Sequence, residues 1–146
     1  MDGDGTLSFL VRRTWLAMRA AIGAELRAYD LTTPQYATLG IVAKYPGCSN
    51  SDVARRVGST RQAANEMLAA LERDGLIERS PHPSDRRSKR IHLTALGEQR
   101  RVEAAKAVSC REAELEAAFS DHERAAVRAW LDGVVRACGE TPEDVC

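Results

Sequence analysis

The sequence is poor in the residue groupings from which chemistry is usually read. Its four cysteines, Cys48, Cys110, Cys138 and Cys146, are widely scattered with no CxxC pair. That excludes a zinc ribbon and a thioredoxin-like dithiol. His82, His92 and His122 lie far apart without a carboxylate cluster, so no metal site and no cofactor is expected. No apolar run approaches the roughly 18–20 residues of a membrane span. The opening Met1-Asp2-Gly3-Asp4-Gly5 lacks the charged-then-apolar layout of a signal peptide. The expectation is a cytoplasmic protein with reduced thiols and no membrane partner. No Ser/His/Asp grouping, Gly-rich phosphate loop or paired carboxylates stand at useful spacing, so an enzyme has little support.

Net charge is absent too. With 21 Lys+Arg against 21 Asp+Glu, the chain is neither a uniformly basic histone-like protein nor an acidic disordered one. Its 146 residues suit one domain, and 44% apolar content suffices for a packed core. The neutrality is an average. Residues 49–94 carry nine basic and six acidic side chains, whereas 112–146 carry three and nine. Within 79–90 five basic residues (Arg79, Arg86, Arg87, Lys89, Arg90) face one acidic, Asp85. A basic centre with an acidic end can bind an anion locally despite a neutral total.

The periodicity is mostly helical. Over residues 7–28, Leu7, Leu10, Val11, Trp15, Met18, Ile22 and Leu26 fall on one apolar stripe. Leu31-Thr32-Thr33-Pro34 restarts the chain, a Thr as cap and Pro34 in the first turn of a helix to about Lys44, with Tyr36, Leu39, Ile41 and Val42 inward. Pro46-Gly47 ends it. A short helix over 49–57, with Val53, Ala54 and Val57 inward, is broken by Gly58. Ser59-Thr60-Arg61-Gln62 then opens another with an S-x-x-Q capping box. That helix buries Ala64, Met67, Leu68 and Leu71 and stops at Asp74-Gly75. Residues 76–80 and 90–93 read as two strands around a turn-rich basic loop. Thr94 caps a long helix over 95–118, and Ser120-Asp121-His122-Glu123 opens a last one with Val127, Trp130, Leu131, Val134 and Val135 apolar.

Helix, tight turn, helix, basic hairpin is the order of a winged helix-turn-helix. The fold class is therefore mainly α: a winged helix-turn-helix domain over 31–94 with a two-stranded β-hairpin wing. Dimerisation helices flank it at 7–30 and 95–138. The physics suits DNA, because a second helix can lie in the major groove with its N-terminal residues at the base edges. Those residues here are Thr60, Arg61, Gln62 and Asn65, with Ala63 small enough for close approach. Arg can donate twice to guanine, and Gln or Asn can pair with adenine. Ser59 and Thr60 suit phosphates through their hydroxyls and the helix N-terminus. Arg86, Arg87 and Arg90 of the hairpin suit a narrow minor groove or flanking phosphates. Each piece alone would also describe a solvated surface; the order in which they come favours DNA. Asp85 admits two roles, turn chemistry at a Ser-Asp pair or an ion pair that aims a neighbouring Arg.

Leu31-Thr32-x-Pro34-Gln35-Tyr36-x-x-Leu39 resembles the opening of the second helix in MarR-type transcriptional regulators. The segments Leu71-Glu72-Arg73-Asp74-Gly75-Leu76-Ile77-Glu78-Arg79, Asp85-x-Arg87 and Ile91-x-Leu93-Thr94-x-x-Gly97 resemble their recognition helix, wing and following long helix. The resemblance spans roughly residues 7–138 without large gaps. It implies a homodimer on a pseudo-palindromic double-stranded DNA operator, most often a repressor, with Arg87 and Arg86 toward the minor groove. It also implies release by a small, often phenolic or aromatic, effector, for which Trp15, Arg19 and Tyr36 are the candidate pocket residues; ordinary core is the plainer role for Trp15 and Tyr36. A branch of the family senses hydroperoxides through a cysteine near the start of the first helix. Here Ser8 takes that place, and Ile22 and Thr33 replace the assisting tyrosines, so that mechanism is not expected. Cys48 precedes the reading helices, and an inert thiol is its plainer reading. The dimer has a second argument: apolar faces at both ends of the chain would otherwise stay open to water. The competing reading is a winged-helix protein-interaction module without specific DNA binding.

Overall fold

The computed structural model describes residues 5–85 and 87–139. Six helices and a two-stranded antiparallel sheet follow in the order α1 Leu7–Leu26, α2 Thr33–Lys44, α3 Asn50–Val57, α4 Arg61–Arg73, β1 Ile77–Pro81, β2 Lys89–Leu93, α5 Ala95–Glu116 and α6 Asp121–Ala137. This is the winged helix-turn-helix with flanking helices that the periodicity calls for.

Local chemistry sets the boundaries. The first helix stops at Leu26, and Arg27–Tyr29 continue as a 3-10 turn. Asp30 then takes a left-handed conformation (φ 53°), a short polar residue tolerated there. Thr32 and Gln35 close a reciprocal capping box on α2: the Thr32 hydroxyl accepts from the Gln35 N–H at 3.3 Å, and the Gln35 carbonyl accepts from the Thr32 N–H at 2.9 Å. Ser49 and Asp52 do the same for α3.

The S-x-x-Q box expected at Ser59 does not form. The cap of α4 is Thr60, whose hydroxyl accepts from the Ala63 N–H at 3.1 Å. The Ser59 N–H is drawn back to the Ala54 carbonyl at 3.0 Å, closing the turn at Gly58, so the chain becomes extended one residue later. The first strand is shifted by one residue from the expected 76–80, and the second begins one residue before the expected 90–93.

One core joins the winged domain to its flanks. Leu26, Leu39, Ile41, Val42, Val53, Leu68, Leu71, Leu76, Ile77 and Ile91 are essentially inaccessible, and Ala104 and Val108 of α5 complete the cluster. Tyr36, Val57 and Met67 are only half-buried against it. The sole buried polar residue among those described is Thr38, whose hydroxyl donates to the Pro34 carbonyl at 2.8 Å and so costs no hydrogen bond.

The wing pairs Ile77 with Leu93, Arg79 with Ile91 and Pro81 with Lys89. It has a third, unforeseen contact. Gly47 donates to the Ile91 carbonyl at 2.8 Å and Ile91 donates to the Cys48 carbonyl at 3.0 Å. This anchors the second strand to the turn before α3 and ties the wing rigidly to the helix pair. At its far end, Thr94 donates through its hydroxyl to the Gly75 carbonyl at 2.5 Å and accepts from the Gly97 N–H at 3.0 Å. Gly97 lies so close to Leu76 that a Cβ would stand 1.9 Å from its carbonyl oxygen.

Candidate nucleic-acid interface

α3 and α4 meet across the αL turn at Gly58 (φ 71°). The exposed start of α4 presents Arg61, Gln62 and Asn65, with Ala64 turned into the core. Ser59 and Thr60 stand apart from them in role. The Thr60 hydroxyl oxygen already accepts from its own helix, and the Ser59 hydroxyl donates to the Thr60 carbonyl at 3.3 Å. The side chains further along are mutually engaged. Gln62 donates through Nε2 to Glu66 Oε1 at 3.2 Å, and Asn65 Oδ1 accepts from Asn50 Nδ2 at 2.5 Å.

The wing tip is a built turn. Asp85 Oδ1 accepts the Arg87 N–H at 2.9 Å, its carbonyl accepts the Ser88 N–H at 3.2 Å, and the Ser88 carbonyl accepts the His82 N–H at 3.0 Å. Of the two roles open to Asp85, the Asx-type turn is realised. His82 Nδ1 lies 3.2 Å from the Ser84 N–H that it accepts. Arg86 lies outside the described residues. Arg79 is turned back from the tip, its Nε donating to Glu72 Oε2 at 2.8 Å. That bond, with the charges of Arg79 and Lys89, holds the Glu72 carboxyl below its usual range.

Between helix and wing lies a polar cleft of about 540 Å³. Ser49, Asn50 and Ser51 line it from the start of α3, Arg61 and Asn65 from α4, and Arg79, Asp85, Arg87, Ser88 and Lys89 from the wing. Three of the expected DNA-binding residues, Arg61, Asn65 and Arg87, therefore share one surface. Ser59, Thr60, Gln62 and Arg90 do not line it. Asn50 was not singled out from the sequence, and Lys89 only as one of the basic residues of the hairpin. The polar Ser49-Asn50-Ser51 run at a helix start was the available signal, since a helix N-terminus favours anions.

A second, open and mostly apolar cleft of about 400 Å³ lies between α1 and the start of α2. It is lined by Leu16, Arg19, Ala20, Gly23, Arg27, Leu31, Thr32 and Thr33. Arg19 belongs to it; Trp15 and Tyr36 do not. Trp15 is 56% exposed. The Tyr36 hydroxyl titrates above its ordinary value, through burial and the nearby Glu112 carboxylate, partly offset by Arg101. Cys48 is buried, which raises its thiol above the usual value, and Asp52 adds to the rise. Among the described residues no three His, Cys, Asp or Glu side chains gather as a metal site, and no helix is long and apolar enough to cross a membrane.

Residues 31–89 match the family model described as the MarR family. A protein of Thauera aromatica assigned to transcriptional regulation of the hcr operon is 31% identical over 97% of this chain and 86% of its own. The chain belongs to the MarR family. It is a MarR-type transcriptional regulator. Solved MarR-family structures superpose along nearly the whole chain. The repressor CouR, bound to a 23-mer DNA duplex, matches with a TM-score of 0.85 at 28% identity, covering 92% of this chain and 97% of that one. The MarR-family protein Rv2887 of Mycobacterium tuberculosis, in complex with salicylic acid, matches with a TM-score of 0.76 at 28% identity over 92% and 99%. The segment matched by the MarR model runs from two residues before α2 to the first residue of β2, so it contains the whole helix-wing cleft and leaves α1, α5 and α6 outside.

Proposed function

We propose that this MarR-type regulator is a repressor that binds a pseudo-palindromic DNA operator as a homodimer in the cytoplasm and is released by a small aromatic or phenolic effector. The observation that carries the DNA reading is the helix-wing cleft, where Arg61, Arg87 and Lys89 from separate elements face one groove together with Arg79. A duplex needs that arrangement: a helix at the base edges, and cations where the backbone passes between helix and wing. CouR, with the same fold, is bound to a duplex. The chain acts by binding rather than by turnover, with 31–94 as the reading domain and 7–30 and 95–138 as the dimerisation region.

The dimer reading is supported by exposed apolar side chains clustered on two helices, a kind of surface that soluble monomers rarely leave open. On α1 these are Leu7, Phe9, Leu10, Val11, Trp15, Leu16 and Met18; on and before α6, Phe119, Val127, Trp130 and Leu131. No residue of α6 is buried. A two-fold partner would cover both faces and set two recognition helices about one turn of DNA apart.

The effector reading is supported by the α1–α2 cleft, apolar enough for a ring and carrying Arg19 and Arg27 for an anionic or phenolic group. Rv2887 is in complex with salicylic acid.

The decisive test is a gel shift with the duplex upstream of the protein's own coding region. Binding should be tight at low salt, fall steeply as salt rises, and be relieved by a ligand that also raises the melting temperature. Absence of salt-sensitive binding would sink the reading in favour of a protein-interaction module.

A further inference from the structure

We propose that Asn50, at the first turn of α3, is a positioning residue that makes Asn65 read a guanine or thymine rather than an adenine. The inference rests on the DNA-reading function above. Asn65 stands on the exposed face of α4, one turn beyond Arg61. To pair with adenine in the major groove, an asparagine must offer its carbonyl oxygen and its amino group together, the oxygen to N6 and the amino group to N7. Here the oxygen is engaged. Asn50 Nδ2 donates to Asn65 Oδ1 at 2.5 Å.

The direction of that bond follows from the other half of Asn50. Its Oδ1 is buried and has no hydrogen-bond partner among the described atoms. Reversing the Asn50 amide would put the NH2 group there instead, with two buried N–H donors and no acceptor. An orphaned carbonyl, whose lone pairs tolerate partial satisfaction, is the less costly choice. The amide of Asn50 is therefore set with its donor toward α4, and it sets Asn65 in turn with Oδ1 inward and Nδ2 outward. An outward donor suits the O6 and N7 acceptors of guanine and the O4 of thymine. It opposes the N4 amino group of cytosine and finds only N7 on adenine, beside an N6 donor.

Selection of bound duplexes from a randomised palindromic pool tests this on the full-length protein. The wild type should enrich guanine or thymine at one position of each half-site. Asn65→Ala should flatten the preference there alone. The discriminating variant is Asn50→Asp, nearly isosteric but able only to accept. It would draw Asn65 Nδ2 inward and turn Oδ1 out, so the preference should cross to adenine or cytosine by on the order of tenfold. Asn50→Ala should let the amide turn freely and admit adenine. Base ratios within each variant are the readout, so a change in overall affinity does not enter. Circular dichroism and a thermal melt confirm that each variant is folded. An unchanged preference in a folded Asn50→Asp protein would overturn the proposal, as would wild-type selection of adenine at the Asn65-sensitive position. If the wild type enriches no sequence at all, the DNA-reading function itself is wrong, and this inference falls with it.

Discussion

Gly97 is the residue whose identity is most tightly dictated by its neighbours. It sits in the first turn of α5 with its N–H on the Thr94 hydroxyl and its Cα against Leu76, where a methyl group would overlap the carbonyl oxygen. Backbone cannot yield as a flexible side chain would. Gly97→Ala should therefore cost about 1–3 kcal/mol by overpacking, read as a lower urea midpoint at unchanged slope. An unchanged midpoint would show that the helix slides aside freely. Cys48 offers a second check. Burial raises its pKa, so its thiolate fraction at pH 7–8 is smaller than that of a free cysteine. Alkylation followed by mass analysis should modify the exposed Cys110 and Cys138 first, and Cys48 only once urea unfolds the chain. Prompt labelling of Cys48 in the native protein would restore it as a redox candidate.

The helices themselves were largely legible in sequence, since apolar spacing, caps and glycine stops are local signals. Their ends were less so. Ser59 and Thr60 both suit a cap by type, Ser59 the better, and the choice fell to Thr60 because the Ala54 carbonyl captured the Ser59 N–H from the previous helix. The capping box of α3 gives a pH prediction. The Ser49 N–H bond leads the causes that hold the Asp52 carboxyl below its ordinary value. A group depressed in the folded state contributes fully above its unfolded value. That contribution is lost as pH falls through the lower folded one. Asp52→Ala should therefore cost about 0.3–1.5 kcal/mol at pH 7, and the deficit should shrink as pH drops below the usual carboxylate value of about 4. A deficit that persists undiminished into strong acid would assign Asp52 a role other than capping. In the wing, Arg87 is held at the tip by its N–H bond to Asp85 while its side chain stays exposed on the cleft. As a phosphate or minor-groove contact, Arg87→Ala should weaken binding to all sequences and lower the salt slope by about one. Unaltered binding at several salt concentrations would remove the wing from the interface.

At the scale of the whole molecule, two apolar ends call for a cover. Trp130 and Val127 are 42% and 56% exposed in the single chain, and α6 contributes nothing to the chain's own core. Dimerisation predicts that Trp130→Glu or Leu131→Glu yields a smaller species in sedimentation velocity and abolishes tight operator binding, with the winged domain still folded. A wild-type melting temperature independent of protein concentration would argue against it. The charge distribution belongs at this scale too. A basic reading surface and an acidic 112–146 segment in one neutral chain favour one orientation on a polyanion, with the acidic end away from phosphate.

Sequence by itself determined the element order, most of the aliphatic core positions of α2 to α4 and the basic character of the wing, because each follows from spacing within a few residues. It could also nominate Arg61, Gln62, Asn65 and Arg87, since their chemistry is carried by type. Only the tertiary structure decided how those side chains stand. It turned Arg79 away to Glu72, spent the Gln62 donor on Glu66, and brought Asn50 from another helix onto Asn65. It also pinned the second strand to Gly47 and Cys48, more than forty residues earlier in the chain. Hydrogen bonds between residues distant in the chain leave no periodicity to read. They depend on where the backbone has already been placed, and at a recognition helix they determine which donor or acceptor remains for a partner.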